Sequence, residues 1–170
     1  IGSSAAWAAG YTGAGSRIAI IDTGADVDHP SLDPDALKYA LQGSNATIMT
    51  EADLTDEVLN QLNAYTRKAG LTAADFYVNE KIPFGFNYVD ADTDITHDND
   101  TQGDHGSHVT GIAAGNRFVK DEAGNYVAAL DSVMTQGVAP DAQILTMKVF
   151  GKRGGAYDSD YMVAIEDAMV

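Results

Sequence analysis

Two short apolar runs, Arg17-Ile-Ala-Ile-Ile21 and Ala142-Gln-Ile-Leu-Thr-Met-Lys-Val149, lack polar alternation. Such runs suit strands covered on both faces, as in a parallel sheet. The first runs into Asp22-Thr23-Gly24. The second follows Gly137-Val-Ala-Pro140 and leads into a glycine-rich loop at 151–156. Ile82 to Val89 alternates and contains Pro83 and Gly85, which predicts an edge strand. Helical spacing fills the intervals. Ser4 to Ala9 reads as a short helix stopped by Gly10. After a capping-box-like Thr50-Glu-Ala-Asp53, the residues Leu54, Val58, Leu59, Leu62 and Tyr65 predict one helix reaching Gly70. His105 to Ala114 reads as a helix ended by Gly115. A last helix begins near Asp158 or Ser159, with Tyr161, Ala164, Ile165, Ala168 and Met169 on one face. It shows no stop signal before Val170, so the sequence is expected to be part of a longer protein. Residues 25–49 read as loop, with His29-Pro30 and Asp33-Pro34 as breakers, and 116–132 as a hairpin or loop. No internal repeat is visible. Strands alternating with helices give an α/β class with a parallel sheet. In such sheets function gathers at the carboxyl ends of the strands, where Asp22 lies.

Charge narrows the partners. The 170 residues carry 10 Lys plus Arg against 25 Asp plus Glu, a net charge of −15. Nothing here neutralises a run of phosphates, which argues against nucleic acid, and an anionic membrane surface is equally unsuited. The longest apolar stretch is far short of a bilayer span. The opening Ile1-Gly2-Ser3-Ser4 has no Met and no basic leader region, so a mature or trimmed start is expected. The absence of Cys removes disulfide scaffolds, cysteine–zinc sites and thiol catalysis, without fixing the compartment. With 45% hydrophobic residues, the chain is long enough for one domain with a substantial core.

Candidate chemistry concentrates in two places. Asp22 at a buried strand end is costly unless hydrogen-bonded, and a lone acid there is most often a cap or turn residue. In Gly103-Asp104-His105-Gly-Ser107-His108-Val-Thr-Gly111 two imidazoles lie three residues apart on one helix face. That spacing admits a metal site, with His97 and the nearby acids as further ligands, although no HExxH pattern is present. A His at a helix start beside glycines also suits a general base, provided that a carboxylate holds its tautomer and stabilises its cation. Residues 90–104 hold six Asp and no Lys or Arg. Counted from Asp90 or from Asp98, this run fails the pattern of a calcium-binding loop, so it reads as a solvated acidic loop.

Taken together, the motifs resemble the subtilisin-like serine peptidases. Ile18-Ala-Ile-Ile-Asp22-Thr-Gly24 with His29-Pro30 resembles the family's catalytic-Asp segment. His105-Gly-Ser-His-Val-Thr-Gly111 resembles its catalytic-His segment, H-G-T-H-V-A-G, with Ser107 in place of Thr. Gly137-Val-Ala-Pro140, Ala142 and Lys148-Val149 resemble the stretch that follows, and Ala5-Ala-Trp7 with Gly13-Ala-Gly15 the entry to the first strand. The resemblance implies a three-layer α/β fold with helices on both faces of a parallel sheet. Residues 1–170 would be the N-terminal portion of one peptidase domain, with an insertion around 33–100. It implies that Asp22 orients an imidazole, that His105 is the general base and then acid, and that His108 is structural. The loop after the Lys148-Val149 strand would take the extended substrate backbone at Gly154, Gly155 and Ala156, with Tyr157 walling a subsite.

The family's Gly-Thr-Ser segment is missing, as is a G-x-S-x-G elbow, and neither Asn116 nor Asn125 matches its oxyanion Asn. The nucleophilic Ser and the oxyanion donor are therefore expected beyond Val170, and residues 1–170 alone are expected to be inactive. No cofactor is expected for the chemistry. Structural calcium lacks support at the usual family site, because Ser31 replaces the acid after His-Pro. The long insertion and acidic balance resemble the cell-envelope and C5a-peptidase-like branch, which implies a secreted or wall-associated protein of a Gram-positive bacterium acting on polypeptides. The alternatives are a metal-dependent hydrolase using His105 and His108, or a non-catalytic binding domain on the same scaffold.

Overall fold

A computed structural model describes residues 2–98 and 100–170. In chain order the elements are α1 (Ser3–Ala8), β1 (Arg17–Asp22), α2 (Pro34–Ala40), α3 (Asp56–Gln61), α4 (Ala64–Arg67), α5 (Ala73–Phe76) and β2 (Phe84–Asn87). There follow α6 (His105–Ala114), the hairpin strands β3 (Phe118–Lys120) and β4 (Tyr126–Ala128), α7 (Ala129–Ser132), β5 (Gln143–Lys148) and α8 (Asp158–Asp167). β1, β5 and β2 form a parallel sheet in the order β1-β5-β2, so all three strands end at one edge. Register pairs Asp22 on β1 with Lys148 on β5.

The sheet is covered on both faces because its strands are apolar on both. Ile20 and Ile144 pack under α6 with Ala114, Ile82 and Ile95. Phe84, Phe86, Met147 and Val149 pack on the opposite face against Leu54, Leu62, Phe76 and Ala164 of α8. The fold is α/β, with helices on both sides of a parallel sheet.

Four elements differ from their sequence reading. Residues 25–49 contain α2, because Asp33 caps its N-terminus through the Asp35 N–H and Pro34 occupies the first turn. The Asp33-Pro34 pair starts a helix rather than breaking one. The single helix predicted to reach Gly70 is two, α3 and α4. Leu62 is extended (φ −55°, ψ 153°), and Asn63 restarts the helix by accepting from the Tyr65 N–H at 2.8 Å. The apolar residues counted at helical spacing all reach the core nonetheless. β2 lies at the sheet edge as predicted, yet it is buried at every position instead of alternating. Phe76 stacks on Phe84 at 5.1 Å on one side, and Ile95 presses against Gly85 on the other.

The buried face of α8 also differs, since Ile165 and Met169 are exposed and Asp167 is buried. Its carboxylate accepts from the Asn63 N–H at 2.6 Å, the Thr66 hydroxyl at 2.5 Å and the Tyr88 hydroxyl at 3.1 Å. This acid bolts the 50–76 segment to α8. Burial and the nearby Asp167 carboxylate push the Tyr88 phenol well above its ordinary pKa, so it stays a donor. Asp167→Ala would strand two buried hydroxyl donors and the half-buried Asn63 N–H, and is expected to lower stability by about 3 kcal/mol, measured by urea unfolding.

Candidate active site

Asp22 is the last residue of β1, and its carboxylate is held by the next peptide N–H, that of Thr23, at 2.7 Å. His105 opens α6, which runs beneath the sheet from the same edge. The His105 Nδ1 lies 2.8 Å from one Asp22 oxygen and 3.0 Å from the other. A carboxylate only accepts, so Nδ1 carries the proton and Nε2 of the neutral ring is left with its lone pair. The acid is shielded (side chain 14% exposed) while the ring is open (70%). The hydrogen bond from the ring to Asp22, then the Asp22 charge, hold the imidazole pKa above its ordinary 6.5, with a smaller push from Asp104.

Two glycines permit this approach. A Cβ on Gly106 would lie 2.1 Å from the Gly24 carbonyl oxygen, so only glycine lets the start of α6 meet the turn after β1. Gly24 has φ +101°, and a Cβ there would lie 2.2 Å from the Ile95 carbonyl oxygen. Hydrogen bonds then fasten the contact. The Gly106 N–H donates to Thr23 Oγ1 at 2.9 Å, and the Asp26 N–H donates to Ser107 Oγ at 2.8 Å. The hydroxyl of Ser107 is thus a tie between the two motifs.

The other residues singled out lie as follows. His108 faces Asp104 at 3.7 Å, both exposed, in an i,i+4 pair on the outside of α6. Among the described residues, no three His, Asp or Glu side chains converge as a metal-binding group would. Gly154, with φ +81°, seats against the side chains of Gln102 and Thr101, just before α6; Gly155 is exposed with open space above it, and Ala156 is half-buried. Tyr157 is exposed. His29 caps a short turn through the Ser31 N–H.

The acidic run is more than a solvated loop. Asp92 and Asp94 each turn the chain by accepting a backbone N–H two residues on. The side chain of Asp100, in contrast, is buried and ion-paired with the buried Lys148. Neither partner was legible as such. Asp100 is one acid among six, and Lys148 sits inside an apolar run. Only the register of β1 and β5 places Lys148 beside Asp22.

The subtilase family profile covers residues 13–169. The PII-type proteinase of Lactococcus lactis subsp. cremoris is 35% identical over 144 residues, 82% of this chain and 6% of that protein. The minor extracellular protease Vpr of Bacillus subtilis is 28% identical over 174 residues, 99% of this chain and 14% of that protein. A C5a peptidase of Streptococcus pyogenes is 28% identical over 159 residues, 92% of this chain and 11% of that protein. The chain thus spans a small part of the length of each relative. The matched region takes in β1, α6, β5 and α8, the whole frame that brings Asp22 to His105, and the chain belongs to the subtilase family.

Proposed function

We propose that this chain carries the Asp and His of a serine endopeptidase triad, and that the protein containing it hydrolyses peptide bonds through an acyl-enzyme. One observation carries the reading: an exposed imidazole whose Nδ1 is bound by a shielded strand-end carboxylate, in a chain of the subtilase family. Nε2 of His105 takes the proton of a serine hydroxyl as its oxygen attacks the scissile carbonyl carbon. Asp22 stabilises the imidazolium without accepting its proton. The same Nε2–H then protonates the leaving amine, the acyl ester forms, and water repeats the cycle with His105 again as base.

The nucleophilic serine and the oxyanion donor come from sequence outside these 170 residues, since no Gly-Thr-Ser segment occurs within them. The substrate is a polypeptide, its backbone laid against Gly154, Gly155 and Ala156 by strand addition. The chemistry needs no cofactor. The protein works outside the cell or on the cell wall of a Gram-positive bacterium, in keeping with the B. subtilis relative named an extracellular protease. No helix among the described residues is long and apolar enough to cross a membrane.

The test compares the full-length protein with residues 1–170, both purified free of other proteases, on an unfolded polypeptide such as casein. Full-length protein is expected to cleave it and to lose that activity to a fluorophosphonate, which esterifies activated serines; residues 1–170 are expected to cleave nothing measurable. A full-length protein that is folded and inactive would point instead to a binding domain, and one that is inhibited only by chelation to a metal hydrolase.

A further inference from the structure

We infer that Lys148 is a positioning residue, which sets the separation of Asp22 and His105 by tying to the central strand the segment that leads into α6 and walls the turn after Asp22. The inference rests on the reading of that pair given above. Lys148 pairs in register with Asp22, and its side chain is fully buried. Its ammonium donates to the Thr96 carbonyl and to the Asp100 carboxylate, both in the segment that leads into α6. Asp100 is five residues before His105. The second Asp100 oxygen is buried without a hydrogen-bond partner among the described residues, so Lys148 is what holds this carboxylate in place.

The same segment presses on the turn after Asp22. The Ala25 N–H donates to the Ile95 carbonyl at 2.9 Å, next to the Thr96 carbonyl that Lys148 holds. Gly24 fits beneath the Ile95 carbonyl, and a Cβ there would touch the Lys148 stem at 3.4 Å. The Thr23-Gly24-Ala25 turn is therefore clamped between residues 95–96 on one side and Gly106 on the other. A neutral, well-packed core would serve stability as well as a buried ion pair does, because desolvation offsets most of the attraction. What the ammonium adds is a link of fixed length from β5 to two points, Thr96 and Asp100, of the segment that leads into α6. Without it, Thr96 and Asp100 lose their tie to β5, and the wall that Ile95 makes for the turn is held less firmly.

The test is a charge-neutral double variant of the full-length protein, Lys148→Met with Asp100→Asn, so that no net charge changes beside His105. The groups acting on the ring, Asp22 and Asp104, are untouched. Peptide hydrolysis followed against pH is expected to show kcat/KM reduced about 100-fold, the size of a displacement of about 1 Å at a catalytic pair. Its acid limb is expected to fall toward 6.5, because a longer Asp22–His105 hydrogen bond raises the imidazole pKa less. A folded double variant with the native kcat/KM and the native limb would overturn the inference. If that variant does not fold, Lys148→Gln with Asp100→Asn replaces it. The pair keeps one hydrogen bond across the gap but cannot span to Thr96, and the same direction of change is expected of it. His105→Ala serves as the control. If that variant hydrolyses peptide as well as the native protein does, the proposed function fails before the role of Lys148 is judged.

Discussion

Replacing His105 with Ala in the full-length protein is expected to lower kcat by about 10⁶, the loss seen when the base of a serine peptidase of this type is removed. Asp22→Asn is expected to cost about 10⁴ while leaving the fold intact. The reason lies in the Nδ1 contact. A carboxylate at 2.8 Å forces the ring proton onto Nδ1, which keeps Nε2 bare and able to take a proton. A carboxamide can turn its NH₂ toward Nδ1, which puts the ring proton on Nε2 and removes the base. It also withdraws the charge that stabilises the imidazolium. The pH dependence follows with its sign. Asp22 raises the His105 pKa above 6.5, and the working form is the deprotonated ring. Native kcat/KM is therefore expected to climb as pH rises through a value above 6.5, and the limb of Asp22→Asn to lie lower. Stopped assays of peptide hydrolysis between pH 5 and 9 check both points.

Gly106→Ala is expected to damage both stability and activity, although it adds only one methyl group. The atom that this methyl meets, 2.1 Å away, is the backbone oxygen of Gly24, and Gly24 is itself pinned under Ile95. No side chain can rotate to relieve the contact, so α6 must back away from the turn. The bond from the Gly106 N–H to Thr23 lengthens, and His105, one residue earlier, moves with it. Overpacking of this kind costs about 1–3 kcal/mol in stability, and a shift of about 1 Å at the pair costs about 100-fold in kcat/KM. Gly111→Ala on the same helix is the matched control. A Cβ there meets nothing within 4 Å, so stability is expected to rise by up to about 1 kcal/mol with activity unchanged. Urea unfolding and peptide hydrolysis on the two variants separate a crowded helix crossing from a general intolerance of α6 to substitution.

Much of this arrangement was legible in the sequence, where local chemistry decides the structure. β1 and β5 lie where unalternating apolar runs place them, and α6 spans the predicted His105 to Ala114. The Asp22 and His105 motifs could be read because each is contiguous: an acid closing an apolar run, and an imidazole among glycines before a helical pattern. What stayed hidden depends on partners far away in the chain. Asn63 breaks a helix that Leu59 and Leu62 would continue, because its N–H goes to Asp167 and its side chain caps α4. Asp167 occupies a core position on α8 that periodicity assigns to apolar residues, since three donors from residues 63, 66 and 88 converge on it. Asp100 looks like its exposed neighbours until β5 supplies Lys148. In each case a polar group is fixed by a contact about 50 to 100 residues distant, and no local pattern announces it.

The most direct test of the Asp22–His105 pair is the tautomer and pKa of the His105 ring, read from ¹⁵N-histidine resonances across pH in the native full-length protein and in Asp22→Asn. The expected result is a neutral ring protonated at Nδ1 with a pKa above 6.5, and a pKa that drops when the carboxylate is removed. A ring protonated at Nε2, or one titrating near 6.5 with and without the Asp22 charge, would contradict the assignment of this pair as the acid–base couple of a peptidase.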